Sequence, residues 1–262
     1  MLMSNDPTPP NFLAALAGVG AVNEAVALPL ERLFDDLPNL VFFIKDPQGR
    51  YRCVNRTLVE RCGFAHKAAL LGRRPGELFP SALASRYEKQ DERVMQTGKP
   101  LLDQLELHLY PSGRRGWCLT NKYPLTTPKT GQPAGVMGVS RDVETHAKGE
   151  AARGFPELAA VLDHVQAHLA NPPSVEELAE FSGLTAHHFG QLVERLFHIT
   201  PRQLIMKIRL DEALHLLAQT DDSLTDIAVA TGFCDQSAFT RHFRRMTGLP
   251  PGAFRAGKVV GA

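Results

Sequence analysis

The chain carries 262 residues, with 29 Lys or Arg set against 28 Asp or Glu for a formal net charge of +1. Its 44% hydrophobic and 22% charged residues suit a globular protein with room for two cores and exclude a disordered or strongly polyionic chain. The four cysteines, at 53, 62, 118 and 234, form no CxxC pair; this argues against a disulfide scaffold, gives no support for a metal site and fits a reducing cytoplasm.

Residues 1 to 11, rich in proline and polar groups, read as disordered. Phe12 to Leu30 is apolar, yet the segment before it lacks Lys and Arg and contains Asp6, and Asn23-Glu24 interrupts it. Neither a signal peptide nor a membrane span fits, so residues 1–29 are expected to end in an amphipathic helix that packs on a domain or a second subunit.

Residues 30–146 change texture. Val41 to Lys45 is an apolar strand, Asp46-Pro47-Gln48-Gly49 a turn, and Tyr51 to Val54 the returning strand. Helices are expected near Arg56 to Cys62 and Arg86 to Thr97. Leu101 to Tyr110 alternates, with Leu105, Leu107 and Leu109 on one face and Gln104, Glu106, His108 and Tyr110 on a polar one. Pro111-Ser112-Gly113 turns the chain into Trp117 to Tyr123, and Val136 to Val143 closes the set. The result is an α+β layer of about five antiparallel strands with helices on one side.

The order of those elements resembles a PAS sensor domain. The likeness rests on Phe43-Ile44-Lys45-Asp46 with Gly49, Asn55, Gly63, Leu71-Gly72, Leu78-Phe79-Pro80, Gly98, Gly113 to Trp117, Pro124, and Gly138 to Asp142. It implies a sensor or dimerisation domain. Two readings stay open: a small-molecule effector held between sheet and helices and touching Phe43, Leu107 or Trp117, or a filled core whose sheet or N-terminal helix makes a homodimer. The reactive-cysteine run of flavin-binding members is missing. His66 in a polar loop and His108 on the polar strand face are expected at the surface rather than on haem iron, so no cofactor is expected.

Residues 147–156 read as a linker, with Gly149, Gly154 and Pro156 limiting any continuous helix. Glu157 to Leu169 then opens a C-terminal domain spanning 157–258, followed by the Asn171-Pro172-Pro173 break. The domain repeats itself. Ser174 to Leu184 returns forty-nine residues later as Ser223 to Phe233, and after one inserted residue at Cys234, Phe189 answers Phe239, Val193 answers Phe243, Arg195 answers Arg245 and Pro201 answers Pro251. Each copy reads as a helix-turn-helix, with Ser174 or Ser223 as N-cap, Gly183 or Gly232 in the turn, and Thr185 or Asp235 capping the second helix. Phe189, Val193 and Leu196 form the buried stripe of one second helix; Phe239, Phe243 and Met246 form that of the other. Pro201 to Gln219 reads as a single linking helix of about 25 to 30 Å, near the roughly 34 Å between successive major grooves.

The face left over in the second copy holds Gln236, Ser237, Thr240, Arg241 and Arg244, side chains suited to base edges and phosphates. The first copy offers His187, His188, Gly190, Gln191 and Glu194, a weaker face. Residues 151–262 hold ten Lys or Arg against twelve Asp or Glu, but from Cys234 to Lys258 five basic residues face only Asp235. Seven of the ten histidines lie in this half, so protonation is expected to strengthen binding at lower pH.

Residues 157–256 resemble the DNA-binding domain of the AraC/XylS family of bacterial transcription regulators. The run Gly232 to Arg245, with Gly248, Pro251 and Arg255, carries the likeness; His198, where the family has glycine, and Gln191, where a basic residue is common, depart from it. The resemblance implies base contacts from His187, Gln191, Ser237 and Arg241, to which the exposed face adds Gln236 and Thr240. Phosphate contacts are expected from Ser174, His188, Arg195, Ser223, Arg244 and Arg245. Implied partners are double-stranded DNA, RNA polymerase and a second copy of the chain, with no membrane; activation and repression both stay open. A helical bundle that binds no nucleic acid is the plainer alternative. The enzymatic one is a DNA-repair methyl acceptor with a zinc thiolate, against which the cysteines are dispersed; no other catalytic constellation stands out.

Overall fold

A computed structural model describes residues 33–37, 39–110, 115–127, 131–143 and 156–257. The expected N-terminal segment, the linker expected at 147–156 except for Pro156, and the Pro111-Ser112-Gly113 turn lie outside the described residues. Two compact units divide near Asp142 and Val143.

The N-terminal unit is a five-stranded antiparallel sheet with helices. Its elements run β1 (Leu40–Lys45), β2 (Tyr51–Val54), α1 (Arg56–Arg61), α2 (Ser81–Thr97), β3 (Leu101–Leu109), β4 (Arg115–Thr126) and β5 (Pro133–Asp142), in the sheet order β2-β1-β5-β4-β3. Helix α2 begins five residues before the expected Arg86. Its buried residues, Leu83, Ala84, Tyr87, Asp91 and Val94, already follow helical spacing from Leu83, and Gly98 ends it in the left-handed region at φ 63. Asn55 organises the entry to α1: its Oδ1 accepts from the Leu58 and Phe42 amides while its Nδ2 donates to the Phe34 and Leu40 carbonyls.

Strand alternation gives this sheet two different faces. Phe42, Ile44 and Cys53 form an apolar cluster with Phe34, Leu40, Leu125, Met137 and Val139, and the Phe34 ring stacks on Phe42 at 4.0 Å. The opposite face meets α2 and is polar. Lys45 and Lys122, each almost fully buried, both reach Asp91 at 2.6 Å. Phe43 packs beside them over Gly138, where any Cβ would collide with its ring.

The polar face of β3 is not at the surface. Glu106, His108 and Tyr110 are buried along with the leucines. The His108 ring lies 2.9 Å from the Tyr110 hydroxyl and 3.4 Å from the Thr120 hydroxyl, which in turn meets Ser140 at 3.0 Å. Arg61 adds a two-point ion pair to Asp142 and a bond to Tyr110. Buried polar groups persist where they are hydrogen-bonded, so a period-two pattern of polar residues marked an interior network here rather than a solvent face.

The C-terminal unit is all helical: α3 (Pro156–Ala167), α4 (Val175–Phe181), α5 (Ala186–Phe197), α6 (Pro201–Gln219), α7 (Leu224–Ala230), α8 (Gln236–Thr247) and α9 (Pro251–Arg255). Two helix-turn-helix motifs, α4–α5 and α7–α8, flank the linker helix α6. Helix α6 buries Leu204, Ile205, Ile208, Leu210, Ala213, Leu214 and Leu217. Each buried large aliphatic side chain contributes about 1.5–3 kcal/mol, so this helix is a substantial part of the unit's core.

Candidate nucleic-acid interface

All four capping residues act as caps. Ser174 accepts from the Glu177 amide and Ser223 from that of Asp226; Thr185 accepts from His188 and Asp235 from Ala238, the last at 2.6 Å. Glu177 also reaches back to the Ser174 amide, closing a capping box. That bond holds the Glu177 carboxyl below its usual range, and the Ala238 amide does the same for Asp235.

Helix α8 shows why its sequence presents one face. Ala238, Phe239, Phe243, Met246 and Thr247 turn inward, Phe239 and Phe243 meeting edge to face at 5.5 Å. Gln236, Ser237, Arg241, Arg244 and Arg245 are exposed and Thr240 is half-buried. The inward stripe fixes the rotation of the helix, so a string of donors lies along its outer side. In α5 the inward residues are Phe189, Val193 and Phe197; Leu196, expected in the stripe, is only half-buried. The spacing of four from Phe189 through Val193 continues to Phe197 and carries Leu196 off the axis of the stripe. His187, His188, Gln191 and Arg195 are exposed on α5.

Each turn needs its glycine. Gly183 adopts φ 71 and Gly232 φ 74, and a Cβ at Gly232 would strike the Leu169 carbonyl oxygen and the Pro172 ring. His198 ends α5 in the same left-handed region, at φ 58, where its counterpart Gly248 ends α8.

Two contacts had no sequence signal in either motif. Arg209 of α6 donates to the carbonyls of Thr231 and Gly232, and Thr225 of α7 donates to the Gln236 side chain at 2.9 Å. His242 sits between α8 arginines; partial burial and then Arg245, Arg241 and Arg209 hold its pKa below the ordinary histidine value. The neutral imidazole is favoured there, so His242 takes up its proton at a lower pH than an ordinary histidine.

In the N-terminal unit, Phe43, Leu107 and Trp117 are all buried. The register pairs Phe42 with Val139 and Val139 with Asn121, so Trp117, two steps of alternation from Asn121, lies on the face opposite Phe43. Leu107 likewise opposes His108. The three residues therefore do not line one surface, and Phe43 alone faces α2.

Cys53, Cys62 and Cys118 are buried and Cys234 is exposed, and burial pushes the Cys62 thiol up to about 12. Among the described residues no group of three or more His, Cys, Asp or Glu is placed to hold a metal ion. The zinc-thiolate alternative gains no support from such an arrangement. No described helix is long and apolar enough to cross a membrane.

These features define a protein with an α+β N-terminal unit and a C-terminal pair of helix-turn-helix motifs. Residues 178–257 match the family described as a helix-turn-helix domain, and residues 34–148 match the PAS fold. The chain carries an AraC-type helix-turn-helix domain together with a PAS domain. Its curated relatives are regulators rather than enzymes. The transcriptional regulator GbdR of Pseudomonas aeruginosa is 29% identical over 40% of this chain and 29% of its own length. LumQ of Photobacterium leiognathi, a probable transcriptional regulator, is 35% identical over 34% of this chain and 36% of its own. The transcriptional activator RhaS of Escherichia fergusonii is 32% identical over 42% of this chain and 41% of its own. The chain thus spans less than half the length of each of these relatives.

Proposed function

We propose that the chain is a sequence-specific transcription regulator that binds double-stranded DNA in the cytoplasm. The observation that carries this reading is the division of α8: an inward aromatic stripe and an outward row of Gln236, Ser237, Thr240, Arg241 and Arg244. An arginine can address guanine at two points in the major groove, while a neighbouring arginine on the helix flank meets phosphate. Arg241, Gln236, Ser237 and Thr240 are the base-reading set of the second motif, and His187 and Gln191 that of the first. Arg244, Arg245, His188, Arg195 and the helix-capping Ser174 and Ser223 hold the phosphates. Helix α6 spaces the motifs so that one chain reads two successive grooves.

The PAS unit supplies the control, by sensing a small-molecule effector or by joining two copies into a homodimer on paired half-sites, with RNA polymerase as the downstream partner. An effector acts by favouring one arrangement of the C-terminal units over another. Phe43, on the face that meets α2, is the pocket residue this proposal retains; Leu107 and Trp117 bear on the other face.

The test is duplex binding by purified full-length chain against a site selected from random sequence. Arg241→Ala is expected to weaken the selected site by about 1 to 3 kcal/mol and to relax preference at one base pair, while Arg244→Ala weakens all sequences alike and flattens the salt dependence. Equal affinities of the wild type and the Arg241 variant for that site would remove the assignment.

A further inference from the structure

The two motifs differ at one place where the second has a built feature and the first has none. In the second, the Thr225 hydroxyl near the start of α7 donates to Oε1 of Gln236, the first residue of α8, at 2.9 Å. Both residues are exposed. Their counterparts in the first motif, Glu176 and Ala186, offer no such pair. The bond does two things to Gln236. It restrains a long side chain that would otherwise sample many rotamers, and it engages the amide oxygen with the protein, leaving the NH2 group for another partner.

A glutamine that reads adenine uses both ends of its amide, the oxygen accepting from N6 and the nitrogen donating to N7. With its oxygen engaged by Thr225, Gln236 offers two donors and a compromised acceptor. Guanine is the base whose major-groove edge presents two neighbouring acceptors, O6 and N7. We infer that Thr225 is a positioning residue that sets the base preference of Gln236, making it select guanine over adenine at its contact. This deepens the proposed function and rests on α8 entering the major groove.

The experiment is selection of bound sites from a random duplex library by the full-length wild type, Thr225→Val, Thr225→Ser and Gln236→Ala. The position whose preference is lost in Gln236→Ala identifies the Gln236 contact. There the wild type is expected to favour guanine over adenine at least about 5-fold, the lower end of what one good two-point contact discriminates. Thr225→Val, which keeps the shape and removes the hydroxyl, shifts the guanine-to-adenine ratio toward adenine by at least about 5-fold, and Thr225→Ser keeps the wild-type ratio. Far-ultraviolet circular dichroism and the affinity for random duplex, both expected unchanged, separate this effect from a folding defect. A wild type that prefers adenine at the position, a ratio unmoved in Thr225→Val, or an equal shift in Thr225→Ser would overturn the inference while leaving DNA binding intact. A Gln236→Ala variant that alters no position would overturn it as well. Failure of the wild type to bind any duplex would instead overturn the proposed function and this inference with it.

Discussion

The Arg209 guanidinium carbon lies 4.0 Å from the centre of the Phe233 ring, and the same group donates to the carbonyls of Thr231 at 2.7 Å and Gly232 at 2.6 Å. Those carbonyls follow the last turn of α7 and would otherwise lack partners at a helix end. One side chain of the linker helix therefore ties down the turn that aims α8. Bonds from a charged donor contribute about 1.5 to 3 kcal/mol, so Arg209→Ala is expected to lower stability by about 2 to 3 kcal/mol. Arg209→Lys recovers part of this, because a point charge cannot reproduce the two-pronged contact. Urea denaturation followed by loss of helical signal measures both.

Asp91 is shared by two buried ammonium groups, Lys45 and Lys122. Removing it leaves both uncompensated, so Asp91→Ala is expected to cost about 3 to 5 kcal/mol, in line with breaking a buried pair from one side. The pH dependence has a fixed sign. Burial raises the Asp91 carboxyl, but Lys45 and then Lys122 more than reverse this and hold it below its ordinary value. Its contribution is fully present above the unfolded value of about 3.9 and is lost as pH falls through the lower folded value. Fluorescence of Trp117, the single tryptophan, reports the N-terminal unit. It should show stability falling with acid in the wild type and a flatter profile in Asp91→Asn.

The turn glycines are not equivalent. Both have positive φ, but a Cβ at Gly183 would enter open space whereas one at Gly232 would meet Leu169 and Pro172. Gly183→Ala is expected to cost about 1 to 2 kcal/mol for the left-handed conformation alone. Gly232→Ala should exceed it by at least about 1 kcal/mol, since backbone must move as in overpacking. Thermal unfolding of the two variants side by side checks the order.

His198 holds a conformation that a side chain disfavours, at φ 58. Replacing it with the glycine found at the equivalent Gly248 should raise stability by about 1 kcal/mol, because the C-terminal position after a helix is where glycine removes a Cβ clash. A melting temperature unchanged or lowered in His198→Gly would contradict this.

The repeated motifs were legible because their determinants are local. Caps at Ser174, Thr185, Ser223 and Asp235 lie within three residues of the amides they serve, and the Phe239–Phe243–Met246 stripe is a spacing. The sheet was legible as strands and turns but not as faces. Glu106 and His108 read as surface residues because alternation separates polar from apolar without saying whether a polar side chain meets water or another side chain. Phe43 and Trp117 read as neighbours because only the register through Val139 sets their faces apart. Arg209 and Thr225 were silent for a related reason: their partners, 22 and 11 residues away, come within reach only once α6, α7 and α8 have packed.

In the proposed complex one chain lays both motifs into neighbouring major grooves. Hydroxyl-radical footprinting of the full-length protein on its selected duplex measures this directly. Two protected segments are expected on one face of the helix, centred about 10 to 10.5 base pairs apart for each bound chain, with Arg241→Ala weakening one of them. A single protected groove per chain, or protection unaffected by Arg241→Ala, would contradict it.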